Sequence, residues 1–285
     1  MLLPVFSVIG GLFAGGLLLA LAQSLGFFPT TGETAFSLAH YLTIVLDSEF
    51  RNAIVLTFGL ALTSTVISAC VGFGLALALQ NSGWCQPILR VLVQVPLAVP
   101  HVAMAVVVVN FVSASGLLAR VAFALGFIES PAEFPSLIND RYGLGIVLSY
   151  CLKEIPFIAF MTLALLVRIG DEFDAVAQTL GATRWQRFRY VTVPLAAPAV
   201  VSASLVVFAF VFGAFEIPFL LGRTYPAMLA VVAQQKFMNA DLIQRPEAIA
   251  LSVMISLITS VFVWLYLRIT RKLIGGDNPG NFLFF

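Results

Sequence analysis

The sequence predicts an all-α membrane protein that crosses the bilayer six times. Three observations carry that prediction. Of 285 residues, 60% are hydrophobic and only 10% charged, with a mean hydropathy of +1.02; a soluble domain carries roughly a quarter charged residues. The apolar residues gather into stretches of about 20 or more, the length that crosses a ~30 Å hydrocarbon core at ~1.5 Å per residue. Almost all the charge lies between those stretches, and only Lys153, Glu154 and Glu216 sit well inside one. The net charge of +1 points to no charged partner, and no nucleic-acid partner is expected.

The first span is Leu2–Phe28. Its Ala20-Leu21-Ala22 resembles a signal-peptidase site. However, no basic residues precede the apolar run, and the run exceeds the ~7–15 residues of a signal sequence, so a retained span is expected. Gly11 and Gly15 permit close helix packing. Spans two and three are Ala53–Leu79 and Ile88–Ser113, the latter containing Pro96 and Pro100. Leu117–Gly126 mixes apolar and polar residues at helical spacing and reads as a short interfacial helix. Spans four and five are Leu144–Val167 and Ala199–Leu221. A second interfacial helix is expected over Met228–Phe237, and Ala248–Leu267 is the last span. Cys70, Cys85 and Cys151 show no metal or disulfide spacing and read as small core residues.

Six spans place both termini on one side. With the termini inside, the inner segments hold Arg90, Arg168, Arg184, Arg187, Arg189, Arg268, Arg271 and Lys272. The outer segments hold Arg51, Arg120, Arg141, Arg223, Lys236 and Arg245. The positive-inside rule therefore favours cytoplasmic termini, and contact with anionic lipid is expected on that face.

Residues 171–194, DEFDAVAQTLGATRWQRFRYVTVP, then face the cytoplasm. Asp171, Glu172 and Asp174 suit a helix N-terminus, and Ala175 to Leu180 is good helix material. Gly181 accepts the left-handed cap that ends the helix. Thr183 caps a second helix over Arg184–Tyr190, and Pro194 is expected to end it before the fifth span. Ala175, Ala177, Gly181 and Ala182 leave a smooth surface for another protein. Trp185, Phe188 and Tyr190 offer interfacial anchoring. An amphipathic loop on anionic lipid has the same composition, but lipid binding needs no fixed turn.

This segment resembles the EAA loop of type I ABC importer permeases. That pattern reads Glu-Ala-Ala, three residues, Gly, nine residues, Ile-x-Leu-Pro. Here Ala175-Val176-Ala177 is followed by Gly181 and then by Val191-Thr192-Val193-Pro194. The acid stands one residue early, at Asp174, a shift of ~100° around a helix. Phe50-Arg51-Asn52, the Pro96 and Pro100 pair, and Phe212-Gly213-Ala214-Phe215 also look like family features.

The resemblance implies a permease core over 51–266, preceded by a first span and outer loop (1–50) and followed by a short tail (267–285). It implies a coupling helix between spans 4 and 5, with Asp174, Ala175, Ala177, Gly181, Ala182, Arg184 and Pro194 in its contact with a cytoplasmic ATPase dimer. It further implies a second permease subunit, the same or different, and a periplasmic or extracellular substrate-binding protein, in a bacterial inner membrane. No GxxxxGK[ST] loop occurs in the chain, so ATP and Mg²⁺ are expected on the partner ATPase, with no cofactor and no catalytic residue here.

Glu-Ile-Pro-Phe occurs twice, at 154–157 and 216–219. Glu154 lies ~15 Å along its span and Glu216 ~7 Å from the outer end of its own. Each acid precedes a proline that kinks the helix and frees carbonyls. Intramembrane acids face protein or water because lipid exposure is costly. Both glutamates are therefore expected on a translocation path favouring a cationic or metal-containing substrate. Helix packing for Glu154 and snorkelling for Glu216 are the plain alternatives. Some members of the resembled branch move polyamine, iron or thiamine. An ion-coupled secondary transporter using Glu154 and Glu216 is the rival function. His40 and His101 have no metal-ligand spacing and read as structural, and no metal site is expected.

Overall fold

The computed structural model describes residues 3–29, 35–80, 86–169 and 172–274. Among these it is built from helices, with no β-strand. In chain order they are α1 (Leu3–Ser24), α2 (Ala39–Leu46), α3 (Ser48–Gln80), α4 (Gln86–Ala98), α5 (His101–Val112), α6 (Leu117–Ala124) and α7 (Leu144–Ile169). Then come α8 (Glu172–Thr179), α9 (Arg184–Arg187), α10 (Val193–Gly213), α11 (Glu216–Leu221), α12 (Leu229–Phe237) and α13 (Arg245–Ile274). Six helical stretches are long and apolar enough to cross a membrane: Val5–Ser24, Ser48–Gln80, His101–Ala124, Leu144–Ile169, Arg184–Gly213 and Leu242–Thr270. Asp171, Cys85 and the tail from 275 onward lie outside the described residues.

The bundle is organised around α3 and α7. Small and hydroxylated residues on α3, among them Ala53, Thr57, Ala61, Ser64, Ser68 and Ala76, are buried. Small side chains let backbones approach where van der Waals packing drives helix association. At Gly72 the two helices come close: a Cβ there would stand 2.9 Å from the Ile155 carbonyl oxygen and 3.0 Å from Ile158 Cβ of α7. α10 covers both helices, and α13 packs on α10 and α12. Phe208 of α10 stacks on Phe262 of α13 with ring centroids 3.8 Å apart. α1 lies at the edge against α13, with Phe6, Leu12 and Phe13 exposed.

Four expectations need correction. The third span is not one helix: α4 and α5 are separated at Val99–Pro100, because a proline cannot donate to the carbonyl four residues back and disfavours a helical residue before it. The fifth span is broken near its C-terminal end, between Gly213 and Glu216, and starts well before Ala199. Pro194 does not end the helix of the 171–194 segment. α9 runs through a π-helical turn, Phe188–Thr192, directly into α10. In that turn the Val193 amide bonds to the Phe188 carbonyl, and the wider ring lets the chain admit a proline without a break. The helix expected at an interface over 228–237 is instead tucked in, with Leu229, Val231, Val232 and Ala233 buried. The Leu229 amide at its start donates to Thr57 Oγ1 of α3 at 2.9 Å, so α3 supplies the N-terminal cap that Met228 lacks. The expected short helix after span 3 is present as α6.

Candidate functional sites: a capped helical turn and a buried polar cluster

Two polar constellations stand out in this apolar bundle. The first is the helix–turn–helix between α7 and α10. α8 ends at a turn where Gly181 has φ +78°; its amide bonds to Gln178, and that of Ala182 to Ala177. These bonds satisfy carbonyls left over at the helix end. Thr183 then opens α9 with a reciprocal cap: Gln186 N donates to Thr183 Oγ1 at 3.3 Å, and Thr183 N donates to Gln186 Oε1 at 2.8 Å. The Thr-x-x-Gln spacing of this box was readable in the sequence.

Asp174 of α8 forms an ion pair with Arg187 of α9. The acid closes the helix–turn–helix on itself. Phe188 is half-buried against Phe73 of α3, ring centroids 6.2 Å apart, whereas Leu180 and Trp185 are 81% and 68% exposed. Ala175, Gly181, Arg184 and Pro194 are exposed too, and Ala177 and Ala182 half-buried. The segment therefore has a fixed backbone, an inner anchor and an outward face that carries small, apolar and basic groups.

The second constellation surrounds the break between α4 and α5. The Pro96 carbonyl would accept from residue 100 in a continuous helix, but Pro100 has no N–H. Lys153 of α7 replaces it, donating from Nζ to the Pro96 carbonyl at 3.1 Å and also to the Val99 carbonyl. The lysine is 5% exposed and Glu154 7%. Adjacent residues on a helix point ~100° apart, and Glu154 turns instead toward His101 of α5, Nε2 to Oε1 3.7 Å. His101 lies against Phe210 of α10, ring centroids 4.6 Å apart. Leu97, His101, Lys153, Glu154, Phe157, Val206, Val207 and Phe210 line an open cleft of about 370 Å³.

Glu216 is exposed in the first turn of α11 after the break in span five, near enough to act electrostatically on His101 and Tyr150. Sequence reading took His101 as a packing residue; its polar neighbour depends on the α5–α7 approach. Among the described residues, no group of three or more His, Cys, Asp or Glu could hold a metal ion. Cys151 is buried, but Cys70, expected in the core, is exposed beside Phe73 and Val200.

A family model described as "Binding-protein-dependent transport system inner membrane component" matches residues 69–275. The chain belongs to that family. It is a multi-pass inner-membrane protein of the ABC permease type. It is 28% identical over 242 residues to the inner membrane ABC transporter permease protein YnjC of Escherichia coli K12, covering 84% of this chain and 45% of YnjC. It is 27% identical over 180 residues to the trehalose transport system permease protein SugA of Mycobacterium tuberculosis, covering 62% of this chain and 56% of SugA. The chain thus spans about half the length of these two relatives. Among solved structures, a bacterial alginate ABC transporter, crystallised in complex with an alginate pentasaccharide-bound periplasmic protein, matches with a TM-score of 0.74. That match covers 95% of this chain and 96% of the other, at 17% identity, which is a likeness of fold.

Proposed function

We propose that this chain is one membrane subunit of an ATP-driven importer and that residues 172–194 are its contact with a separate ATPase. The observation that carries this reading is the double-capped, ion-paired helix–turn–helix joined without interruption to the fifth span. A surface that only rested on lipid would need no such fixed geometry. Leu180, Trp185 and Arg184 supply its outward contacts, while Asp174, Ala177, Gly181 and Ala182 hold its shape, and Pro194 lies where it joins the span. ATP and Mg²⁺ belong to the partner, and this chain binds no cofactor and performs no chemistry on the substrate.

A second permease subunit, identical or different, completes the path, and a binding protein outside the cell delivers the substrate. The exposed apolar face of α1 and the exposed carboxylate of Glu216 are in keeping with a second subunit alongside. The basic residues that flank the spans favour cytoplasmic termini, with 51–266 as the transport core.

Single cysteines in place of Val176 and Leu180, both exposed, provide the test, in a background lacking Cys70, Cys85 and Cys151. Cross-linking to a co-expressed ATPase subunit that changes with ATP is expected. No cross-link at either position, together with uptake that survives ATP depletion and collapses with the ion gradient, would refute the reading.

A further inference from the structure

We infer that the cleft between α5, α7 and α10 is a recognition site for an organic ammonium group, with Glu154 as its anionic contact and Phe157, Phe210 and His101 as its aromatic walls. The inference rests on the importer reading, since it assigns a substrate class to that transport path.

The argument begins with Lys153. Its ammonium is spent on the Pro96 and Val99 carbonyls, and no ion pair joins it to Glu154 among the described residues. Among the described residues the ion pair recorded for the Glu154 carboxylate is with His101 Nε2 at 3.7 Å, beyond hydrogen-bond distance, and Lys153 acts on it through space without donating to it. A buried carboxylate gains most from a donor that is both cationic and hydrogen-bonding, and the cleft opens directly onto it.

The rest of the wall suits the same ligand. Phe210 and His101 lie ring against ring at 4.6 Å, and Tyr150 buttresses Phe210 edge-on at 6.4 Å. Faces of aromatic rings attract alkylammonium groups, most strongly where water is excluded. A bare transition-metal ion fits less well: His101 and Glu154 offer two ligands, and no third His, Cys, Asp or Glu joins them among the described residues. At about 370 Å³ the cleft has room for a molecule of many atoms rather than one ion, given that a water molecule's share is ~30 Å³. An anion would meet the Glu154 carboxylate with Lys153 already engaged.

The test uses the complex isolated from membranes through a tag on this chain and held in lipid nanodiscs. Choline, spermidine and tetraethylammonium are titrated calorimetrically, with trehalose and sulfate as neutral and anionic controls. At least one ammonium compound is expected to bind. Glu154→Gln should weaken it by about tenfold or more, and Phe210→Leu by about threefold or more. Glu247→Gln, which removes a surface acid paired with Lys236, should leave binding unchanged. Size-exclusion profiles establish that each variant is folded, and Phe210→Leu keeps the test open if Glu154→Gln is not. The inference is overturned if none of the three compounds binds, if Glu154→Gln and Phe210→Leu bind as the parent does, or if sulfate binds in the same cleft. An ATP-sensitive cross-link at Val176→Cys in a preparation that binds no ammonium would defeat this inference alone. No cross-link at Val176→Cys or Leu180→Cys, with uptake that survives ATP depletion, would defeat the importer reading itself.

Discussion

Replacing Lys153 by methionine tests the account of the broken third span. The variant keeps an unbranched stem, one atom shorter, and removes both hydrogen bonds to Pro96 and Val99. Pro100 offers no N–H to the Pro96 carbonyl, so without the ammonium both carbonyls lose their side-chain donor. An unsatisfied buried polar group costs about 1–3 kcal/mol, which gives ~2–6 kcal/mol for the pair. Release of the ammonium from its own desolvation offsets part of this, so a net loss of about 2 kcal/mol is expected. At ~2–4 °C per kcal/mol for chains near this size, thermal unfolding should move down by about 4–8 °C.

The chain carries its own reporter. Cys151 is buried, so the rate at which a thiol-reactive dye gains access to it on heating, in a background with Cys70 and Cys85 replaced, follows unfolding. Adding Pro100→Ala should recover part of the loss, because it returns an N–H at position 100 and frees Val99 from the restriction that proline imposes on its predecessor. An unfolding temperature for Lys153→Met equal to the parent's would show that the lysine does not hold the break, and the reasoning would fall.

Two further outcomes are expected. Exchanging the charges of the Asp174 and Arg187 pair should separate positioning from simple charge: either single reversal uncouples ATP hydrolysis from transport in the reconstituted complex, and the double reversal restores coupling to within about threefold. If Asp174 instead acts directly on the ATPase, the double variant stays uncoupled. Gly72→Val should push α7 from α3, because even a Cβ meets the Ile155 carbonyl oxygen at 2.9 Å; a destabilisation of about 1–3 kcal/mol is expected, read by the same thiol-access assay, and no change would mean that the two helices are free to separate there.

The number and approximate position of the spans could be read from the sequence because a membrane imposes a length and a polarity on every crossing. Gly181 and Thr183 were legible for a different reason: each acts through its own backbone and its near neighbours. What escaped was set by distance in the chain. The break at Pro100 followed from local chemistry, but the donor that makes it tolerable, Lys153, lies more than fifty residues away. Likewise Asp174 shows only as an early acid until Arg187 is folded back beside it. Pro194 misled because proline is read as a helix end, and nothing local announces that the preceding turn is a π turn wide enough to accept it. His101 carried no metal spacing, and its place beside Glu154 depends on how α5 meets α7.

The unbroken path from α9 through the π turn into α10 has a mechanical meaning. Arg184 to Gly213 is a single 30-residue helical rod, ~45 Å from end to end at the α-helical rise. A joint at Pro194 would let a push on the α9 end dissipate as bending. Pro198 inside α10 is a further point where the helix lacks a hydrogen bond, and at the far end the chain breaks outright, at Ala214 and Phe215, just before Glu216. The one outright break in this run thus lies at the opposite end from α9, next to the carboxylate of Glu216, while the proline and the π turn are carried inside an uninterrupted helix.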